Sequence, residues 1–265
     1  MNRYLSKEEI NLYQNQGAII IKNLFSPWIN ILRTGFEKVL KKPGPHAREN
    51  VKKDEKGRFF EDYCNWQRIP EFKKFAEESP AAQIVAEATS SKSIQLFHEH
   101  IFVKEPGTFK ETPWHQDMPY YCLEGNDTGS FWIPLDPIKK ENSLQVLLGS
   151  HKLPKLIRPT KWSNNQPWYN NDNNFMDMSE VTIFEKNILK SEMNLGDAIL
   201  FNFKVLHSSP GNSENIPRRA FSMRFIGDDV KYIDRGGETS PPFKGIDLKI
   251  GSKMREDWFP VVWRD

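Results

Sequence analysis

The sequence predicts a mainly β protein whose helices are gathered towards the N-terminus. Helical periodicity is confined to about residues 1–92, whereas from residue 93 onward the chain consists of short β-branched and aromatic runs divided by Gly, Pro and polar turn residues. No helical pattern separates these runs, so a sandwich, barrel or jelly roll is favoured over a parallel α/β sheet. The chain has 265 residues, a length typical of one large domain of this kind.

The N-terminal part begins with a helix and a strand. Ser6 followed by Glu9 forms a capping box that starts a helix, and Gly17 ends it. The apolar run AIIIKNL then predicts a strand. Helical periodicity returns over 28–40 and 71–88. We expect these helices to cover one outer face of the β core that follows.

The β part contains six runs that alternate with turn residues, namely SIQLFHEHIFV, TPWHQDMPYY, GSFWIPLD, SLQVLLG, AILFNF and RAFSMRFI. We expect a single domain over 1–265, with a helical part at about 1–92, a β core at about 93–230 and a C-terminal extension at about 231–265. The Asn-rich interval 162–178 falls between two β runs and predicts a long loop. Lids and substrate-binding segments are common in loops of this length.

Charge and cysteine content exclude several classes of protein. The 37 basic and 35 acidic residues leave a net charge of +2, far from the basic stripe that nucleic-acid binding needs, so we expect no nucleic-acid partner. No segment has the apolar character of a membrane span or a signal peptide, so we expect a cytoplasmic protein with no membrane association. The two cysteines are too few for a disulfide framework or a cysteine-based zinc site. We expect a small-molecule substrate, and no pattern indicates the oligomeric state.

A histidine and a carboxylate lie two positions apart in TPWHQDMPYY. Because strand side chains alternate between faces, His115 and Asp117 would point to the same side and could share one metal ion. His207 ends the later apolar run AILFNFKVL and supplies a second imidazole. Two histidines and one carboxylate form the facial triad of non-haem Fe(II) oxygenases, which leaves coordination positions open for a co-substrate and O2. The first pair alone is a weak signal, since it occurs in many chains.

The strand after the second histidine strengthens this interpretation. In RRAFSMRFI, alternation puts Arg218, Ser222 and Arg224 on one face, and the aromatic and Met residues on the other. A guanidinium can pair with a carboxylate through two hydrogen bonds, so Arg218 is suited to the distal carboxylate of 2-oxoglutarate. Arg219 is the competing candidate, although strand parity puts it on the apolar face.

Three segments resemble the phytanoyl-CoA dioxygenase family, VKEPGTFKETPWHQDMPYY, FWIPLDPIKKENSLQVLLGSHK and NLGDAILFNFKVLHSSPGNSENIPRRA. The opening EEINLYQNQGAIIIKNLF is similar to the N-terminus of that family. The resemblance implies a double-stranded β-helix, which is a cupin-like jelly roll, with flanking N-terminal helices. It implies that Fe(II) is bound by His115, Asp117 and His207, and that 2-oxoglutarate is bound by Arg218. Three further positions line the co-substrate pocket in this family, Gln116, Trp132 and Ser209.

The activity that the resemblance implies is hydroxylation of an unactivated C–H bond of a small molecule. The co-substrates would be 2-oxoglutarate and O2, and the co-products succinate and CO2. Asp117 is intact, whereas related halogenating enzymes have a small residue there, so hydroxylation is favoured over halogenation. Strand alternation turns Gln116 away from the metal, so its contact with the co-substrate would need a twist or bulge. The substrate itself is not indicated, because one fold of this kind hosts many chemistries.

Two other functions are compatible with the metal ligands. One is a cupin-like metal-binding protein without oxygenase activity, which would need no carboxylate-binding arginine. The other is a zinc hydrolase, which would need a general base such as Glu124 near the metal. His98 and His100 share a strand face but lack a third ligand, so we do not expect them to bind a metal. Lys104 and Arg224 are candidates for binding an anionic substrate.

Overall fold

The computed structural model describes residues 3–52, 55–162, 166–169 and 174–265. The α-helices in these ranges are α1 (Lys7–Gln16), α2 (Ile29–Lys41), α3 (Pro70–Glu78) and α4 (Ala81–Thr89). The first strands are β1 (Ala18–Ile21), β2 (Arg48–Glu49), β3 (Phe59–Tyr63), β4 (Ser93–Lys104), β5 (Thr112–His115), β6 (Leu123–Glu124) and β7 (Thr128–Pro134). The later strands are β8 (Gln145–Leu147), β9 (Ile188–Leu189), β10 (Ala198–Phe201), β11 (His207–Ser209), β12 (Arg218–Ile226), β13 (Lys231–Tyr232) and β14 (Val261–Arg264).

Local sequence signals set the limits of the helices. The Ser6 side chain accepts a hydrogen bond from the Glu9 backbone N–H, and the Glu9 carboxylate accepts one from the Ser6 N–H, so the predicted capping box is present. Gly17, with φ of 80°, ends α1 in the left-handed conformation that glycine adopts without strain. The predicted segment 71–88 is two helices, because the chain is extended ahead of Pro80 and so separates α3 from α4. Throughout the described ranges, every helix is too short or too polar to cross a membrane.

Two antiparallel sheets on either side of a cavity form the predicted jelly roll. The larger sheet has the order β1-β10-β7-β12-β4-β3-β2, and β14 also pairs with β4. The smaller sheet has the order β5-β11-β8-β9, and β13 pairs separately with β6. Strands of both sheets line the cavity, whose volume is about 560 Å³. The fold is therefore mainly β, with helices on the N-terminal side, as the sequence predicts.

The N-terminal part also contributes strands to the larger sheet. β1 pairs with β10, and β3 pairs with β4, so both flanks of that sheet depend on residues that precede β4. The helices cover its outer face, and the main hydrophobic core lies between them and the sheet. The N-terminal part thus completes the larger sheet in addition to covering its outer face.

Strand β12 separates this core from the cavity. The side chains that belong to the core are Phe221, Met223 and Phe225. Those that line the cavity are Arg218, Ala220, Ser222 and Arg224. The alternation predicted for this strand is therefore confirmed, and it aims the charged side chains of β12 at the interior.

Candidate active site

Three side chains from distant parts of the chain converge on the cavity wall. His115 ends β5, Asp117 lies just after it, and His207 begins β11, where it is the Cα partner of His115. The Nε2 atoms of His115 and His207 each lie 3.7 Å from Oδ1 of Asp117. The three ligand atoms all lie within 4.8 Å of one another, which is close enough to hold one metal ion. The structure therefore brings together the three predicted ligands.

The path of the chain to this point differs from the strand pattern in two details. The strand ends at His115, and Asp117 has helical φ and ψ values of −72° and −43°, ahead of a 3-10 turn that contains Pro119. His207 begins a strand of the smaller sheet rather than ending β10, because the chain crosses between the sheets over 202–206. Convergence of the ligands thus depends on a turn and a sheet crossing, which strand alternation does not describe.

Backbone carbonyls fix the orientation of both imidazoles. The Nδ1–H of His115 donates to the Pro113 carbonyl at 2.8 Å, and that of His207 donates to the Val205 carbonyl at 3.0 Å. Because a carbonyl can only accept, the proton is on Nδ1 and each Nε2 lone pair is free for a metal. Burial lowers the pKa of His115 to about 3, with a further contribution from His207, and burial also lowers the pKa of His207. Both imidazoles are neutral at physiological pH, which is the form that binds metals.

Arg224 holds the carboxylate ligand in place. Its Nε donates to Oδ2 of Asp117 at 2.9 Å, which leaves Oδ1 on the side of the two imidazoles. Burial alone would raise the pKa of the Asp117 carboxyl, but Arg224 and then the two histidines outweigh burial and hold that pKa well below its usual value. The sequence placed Arg224 on the correct face of its strand, although its pairing with a metal ligand was not predicted.

The donor set fits Fe(II). Two neutral imidazole nitrogens and one carboxylate oxygen, all buried, form the arrangement whose open positions suit non-haem iron oxygenases. A zinc hydrolase would need a general base beside them, but Glu124 is exposed on β6 and does not line the cavity. In the part of the chain that the structure describes, no other group of His, Cys, Asp and Glu side chains has this geometry.

A buried arginine lies in the same cavity, among the predicted co-substrate residues. The Nη1 of Arg218 donates to the Asn142 carbonyl at 2.6 Å, and its Nη2 donates to the Ser209 hydroxyl at 3.2 Å. The Ser209 hydroxyl donates in turn to the Thr112 hydroxyl at 3.1 Å. Trp132 of β7 also lines the cavity. Three of the four predicted 2-oxoglutarate residues thus share one region.

Gln116 and Arg219 lie elsewhere. Arg219 points to the opposite side of β12, where it pairs with Asp136. The Gln116 amide donates to the Lys204 carbonyl, and its oxygen accepts from the Ile157 N–H at 2.7 Å. Gln116 therefore joins two loops and does not line the main cavity, as strand alternation indicates. From this position it lacks the contact with the cavity that its predicted co-substrate role requires.

Part of the cavity wall comes from residues whose role the sequence did not reveal. Those of β3 are Glu61 and Tyr63, and those of β4 are His98, His100 and Lys104. Strand β3 was not predicted, because FFEDY mixes acidic and aromatic residues and follows a connection rich in Lys and Gly. In β4 the sequence did indicate that His98, His100 and Lys104 share one face of the strand, since alternate residues of a strand point to the same side. That this face is turned towards the metal follows only from the pairing of β4 with β12.

Aromatic side chains of the interval 162–178 also border the cavity. Trp162 lies against His115, with ring centroids 4.9 Å apart, and Trp168 lies against Tyr120 at 5.4 Å. The residues of this interval that fall outside the described ranges are 163–165 and 170–173. A role for the whole interval as a lid therefore stays a prediction.

The jelly roll, the metal ligands and the buried arginine define a class, the Fe(II)- and 2-oxoglutarate-dependent oxygenases. The fold matches that of the non-heme alpha ketoglutarate dependent carbocyclase SnoK from nogalamycin biosynthesis, with a TM-score of 0.73 and 21% identity over 97% of this chain and 96% of that one. The epimerase SnoN from the same biosynthesis matches with a TM-score of 0.75 and 15% identity, over 98% and 96% of the two chains. EctD from S. alaskensis, solved with 2-oxoglutarate and 5-hydroxyectoine, matches with a TM-score of 0.69 and 15% identity, over 94% and 85%. These likenesses establish the fold.

The family follows from the sequence comparison. The family model of phytanoyl-CoA dioxygenase (PhyH) matches residues 13–220, and the chain belongs to this family. The chain is 26% identical to the peroxisomal phytanoyl-CoA dioxygenase of Bos taurus over 252 residues, which cover 89% of this chain and 73% of the bovine protein. The human protein of the same name is also 26% identical, over 89% of this chain and 72% of its own length. The protein is thus an Fe(II)- and 2-oxoglutarate-dependent dioxygenase that uses O2.

Proposed function

We propose that the protein hydroxylates an unactivated C–H bond of a small polar molecule, with release of succinate and CO2. Fe(II) would be held by His115, Asp117 and His207, and the distal carboxylate of 2-oxoglutarate by Arg218. The observation that carries the proposal is the convergence of three ligand atoms within 4.8 Å in the same cavity as a buried arginine. A metal-binding protein without oxygenase activity would have no use for that arginine.

The bound iron supplies the oxidising chemistry that couples decarboxylation of 2-oxoglutarate to insertion of oxygen. The residues of the chain organise the site for this chemistry. The two histidines and Asp117 offer one atom each to the metal, because backbone carbonyls and Arg224 hold their other polar atoms. Trp162 and Tyr120 pack against His115 and exclude water from that side of the site.

The space left for a substrate is bordered by polar groups. His98 donates from Nδ1 to the Glu99 carbonyl at 3.1 Å, so its Nε2 is an acceptor, and this buried atom has no partner among the described residues. The Nη1 of Arg224 is likewise buried without a hydrogen-bond partner in the described ranges. Glu61 and His100 approach each other at 3.3 Å in the same cavity. Buried polar atoms without partners are rare in native proteins, and a bound ligand is one explanation. These groups favour a substrate with hydroxyl or amine groups over a long acyl chain.

Asp117 favours hydroxylation over halogenation, since an intact carboxylate ligand leaves no site for a halide. The structural neighbours SnoK and SnoN are described as a carbocyclase and an epimerase, and EctD was solved with 5-hydroxyectoine. Proteins of this fold therefore carry out several different reactions. The predicted cytoplasmic location stays a prediction, and the mammalian relatives are named as peroxisomal.

An anaerobic titration tests the iron and co-substrate sites. Adding 2-oxoglutarate to the Fe(II)-loaded protein is expected to produce a metal-to-ligand charge-transfer band, and Arg218→Ala is expected to shift its appearance to higher 2-oxoglutarate concentration. Succinate release in O2 is then screened with polyols, amino acids, phosphonates and acyl thioesters. Stimulation by the polar compounds supports the proposal. Absence of the band from the wild-type protein, or hydrolysis without O2 by a zinc-loaded form, would refute it.

A further inference from the structure

Two cations lie side by side in the cavity. Arg218 of β12 and Lys104 of β4 are directly opposed Cα partners, and both line the cavity. Arg218 is 6% exposed and Lys104 is 2% exposed. Like charges directly opposite each other in a sheet are destabilising, and burial removes the water that would screen them. The stability of the sheet therefore does not explain this pair.

Both side chains reach the same turn. The Nζ of Lys104 donates to the hydroxyl and the carbonyl of Ser209, at 3.2 Å each, and to the Pro210 carbonyl at 2.9 Å. The Nη2 of Arg218 donates to the same Ser209 hydroxyl at 3.2 Å and to the same Pro210 carbonyl at 2.9 Å. The ring of Phe59 lies on another side of the ammonium, with its centroid 4.4 Å from Nζ. Two strands thus bring two positive charges to one point.

The two charges lack a counter-charge. The hydrogen-bond acceptors of Lys104 and Arg218 are neutral oxygens, and within the described ranges no carboxylate forms an ion pair with either side chain. Burial, followed by the charge of Arg218, holds the pKa of Lys104 well below its usual value. Burial lowers the pKa of Arg218 to about 10. Uncompensated buried charge is costly, so this part of the cavity favours a bound anion.

We infer that Lys104 is a second binding residue for the distal carboxylate of 2-oxoglutarate, which Lys104 and Arg218 hold together from two strands. The inference rests on the proposed function, because it takes the iron site and its co-substrate as given. A carboxylate has two oxygens, so one can accept from the guanidinium and the other from the ammonium. Each contact exchanges a hydrogen bond to a neutral oxygen for a stronger one between opposite charges. A lysine that only ties β4 to the Ser209 turn would be indifferent to the distal end of the bound acid.

Calorimetric binding of two 2-oxo acids to the Fe(II)-loaded protein without O2 separates these roles. 2-Oxoglutarate and 2-oxopentanoate have the same chain length and the same metal-binding end, but only 2-oxoglutarate has a distal carboxylate. We expect Lys104→Met to weaken 2-oxoglutarate binding about ten- to a hundredfold, without a comparable change for 2-oxopentanoate. Lys104→Arg keeps the charge and is expected to restore part of the loss. Lys161→Met removes an exposed charge that also borders the cavity, and it should leave the binding of both acids unchanged.

Equal loss of affinity for both acids in Lys104→Met, or no loss for either, overturns the inference while the iron site stands. If the wild-type protein binds neither acid, the proposed function itself fails. Thermal unfolding of the ligand-free variants gives a second readout. Because Lys104→Met removes one of two opposed buried cations, we expect its Tm without ligand to equal or exceed that of the wild type. A lower Tm, combined with equal loss for both acids, would identify a purely structural lysine.

Discussion

The carboxylate of Asp117 has one oxygen on the side of the histidines and the other 2.9 Å from Nε of Arg224. A carboxylate free to rotate would offer the metal either oxygen in many orientations, whereas a charged partner restricts it to one. Partners of this kind are commonly worth ten- to a hundredfold in metal affinity or activity. Arg224 is therefore a positioning residue, which acts on the metal through Asp117.

Replacing Arg224 is expected to weaken metal binding. In Arg224→Met, Asp117 loses its charged partner, and we expect the affinity for Fe(II) to fall about ten- to a hundredfold. Competition with a chromophoric chelator under anaerobic conditions measures this change. Arg224→Lys, which retains a positive charge, should recover part of the affinity.

A matched control lies on the same strand. Arg219 pairs with Asp136 and Glu37 on the side away from the cavity, so Arg219→Met removes an equal charge without touching the ligands. Its affinity for Fe(II) should equal that of the wild type. Equal losses in Arg219→Met and Arg224→Met would contradict a positioning role for Arg224.

Glu99 links stability to pH. It is buried and accepts from the backbone N–H groups of Asn65 and Trp66, but burial still raises its pKa from 4.5 to about 7. Protonation thus favours the folded state, so the stabilisation is complete below about pH 4.5 and is lost as the pH rises through about 7. From this residue we expect a loss of roughly 3 kcal/mol by about pH 8. Glu99→Gln cannot ionise and should show a weaker pH dependence in urea unfolding. Identical pH profiles for the two proteins would count against this assignment.

At the scale of elements, one face of β12 packs in the hydrophobic core and the other lines the cavity. Phe221 is fully buried among the helices, with ring centroids 4.8 Å from Phe72 and 5.5 Å from Phe75, whereas its neighbours on the other face line the cavity. We expect Phe221→Ala to lower the free energy of unfolding by about 3–5 kcal/mol, because a large buried side chain leaves a cavity. The folded fraction should bind Fe(II) as the wild type does. Urea unfolding and the chelator competition measure the two effects, and a large loss of metal affinity would show that the faces are not independent.

The same strand shows what a sequence can predict. All nine residues of β12 pair with β4, and seven of them also pair with β7, so alternation assigned Arg218 and Arg224 to the correct face. The route from His115 to Asp117 was not predicted, because the turn that contains Pro119 replaces the strand there. The break of the second long helical segment at Pro80 was missed as well, although proline disfavours helix in the residue before it.

The metal ligands could be proposed from the sequence because His115 and Asp117 lie two positions apart, and because the segments around them and around His207 resemble those of a known family. The pairing of Lys104 with Arg218, and of Arg224 with Asp117, joins residues that lie more than a hundred positions apart. Such contacts depend on strand order and register, which no local pattern contains. The sequence therefore offered Lys104 only as a candidate for binding an anionic substrate, and its position opposite Arg218 follows from the pairing of β4 with β12.

At the scale of the whole molecule, the N-terminal part and the β core contribute strands to one sheet, and we expect them to fold as a single unit. β1 and β3 supply strands on both flanks of the larger sheet, and the helices cover its core. We expect the full chain to unfold in a single calorimetric transition. A truncated chain that begins at residue 93 should fail to fold, since it exposes two sheet edges and the apolar face. Cooperative unfolding of that truncated chain would contradict the single-domain prediction.

The two opposed cations of the cavity, Lys104 and Arg218, also bear on how the product succinate leaves the site. Decarboxylation removes the carboxylate at the metal end of 2-oxoglutarate, so succinate retains the distal group that faces Lys104 and Arg218. The two cations proposed to bind the distal carboxylate of 2-oxoglutarate would bind the same group of succinate, so we expect succinate to compete with 2-oxoglutarate for the site and to leave it slowly.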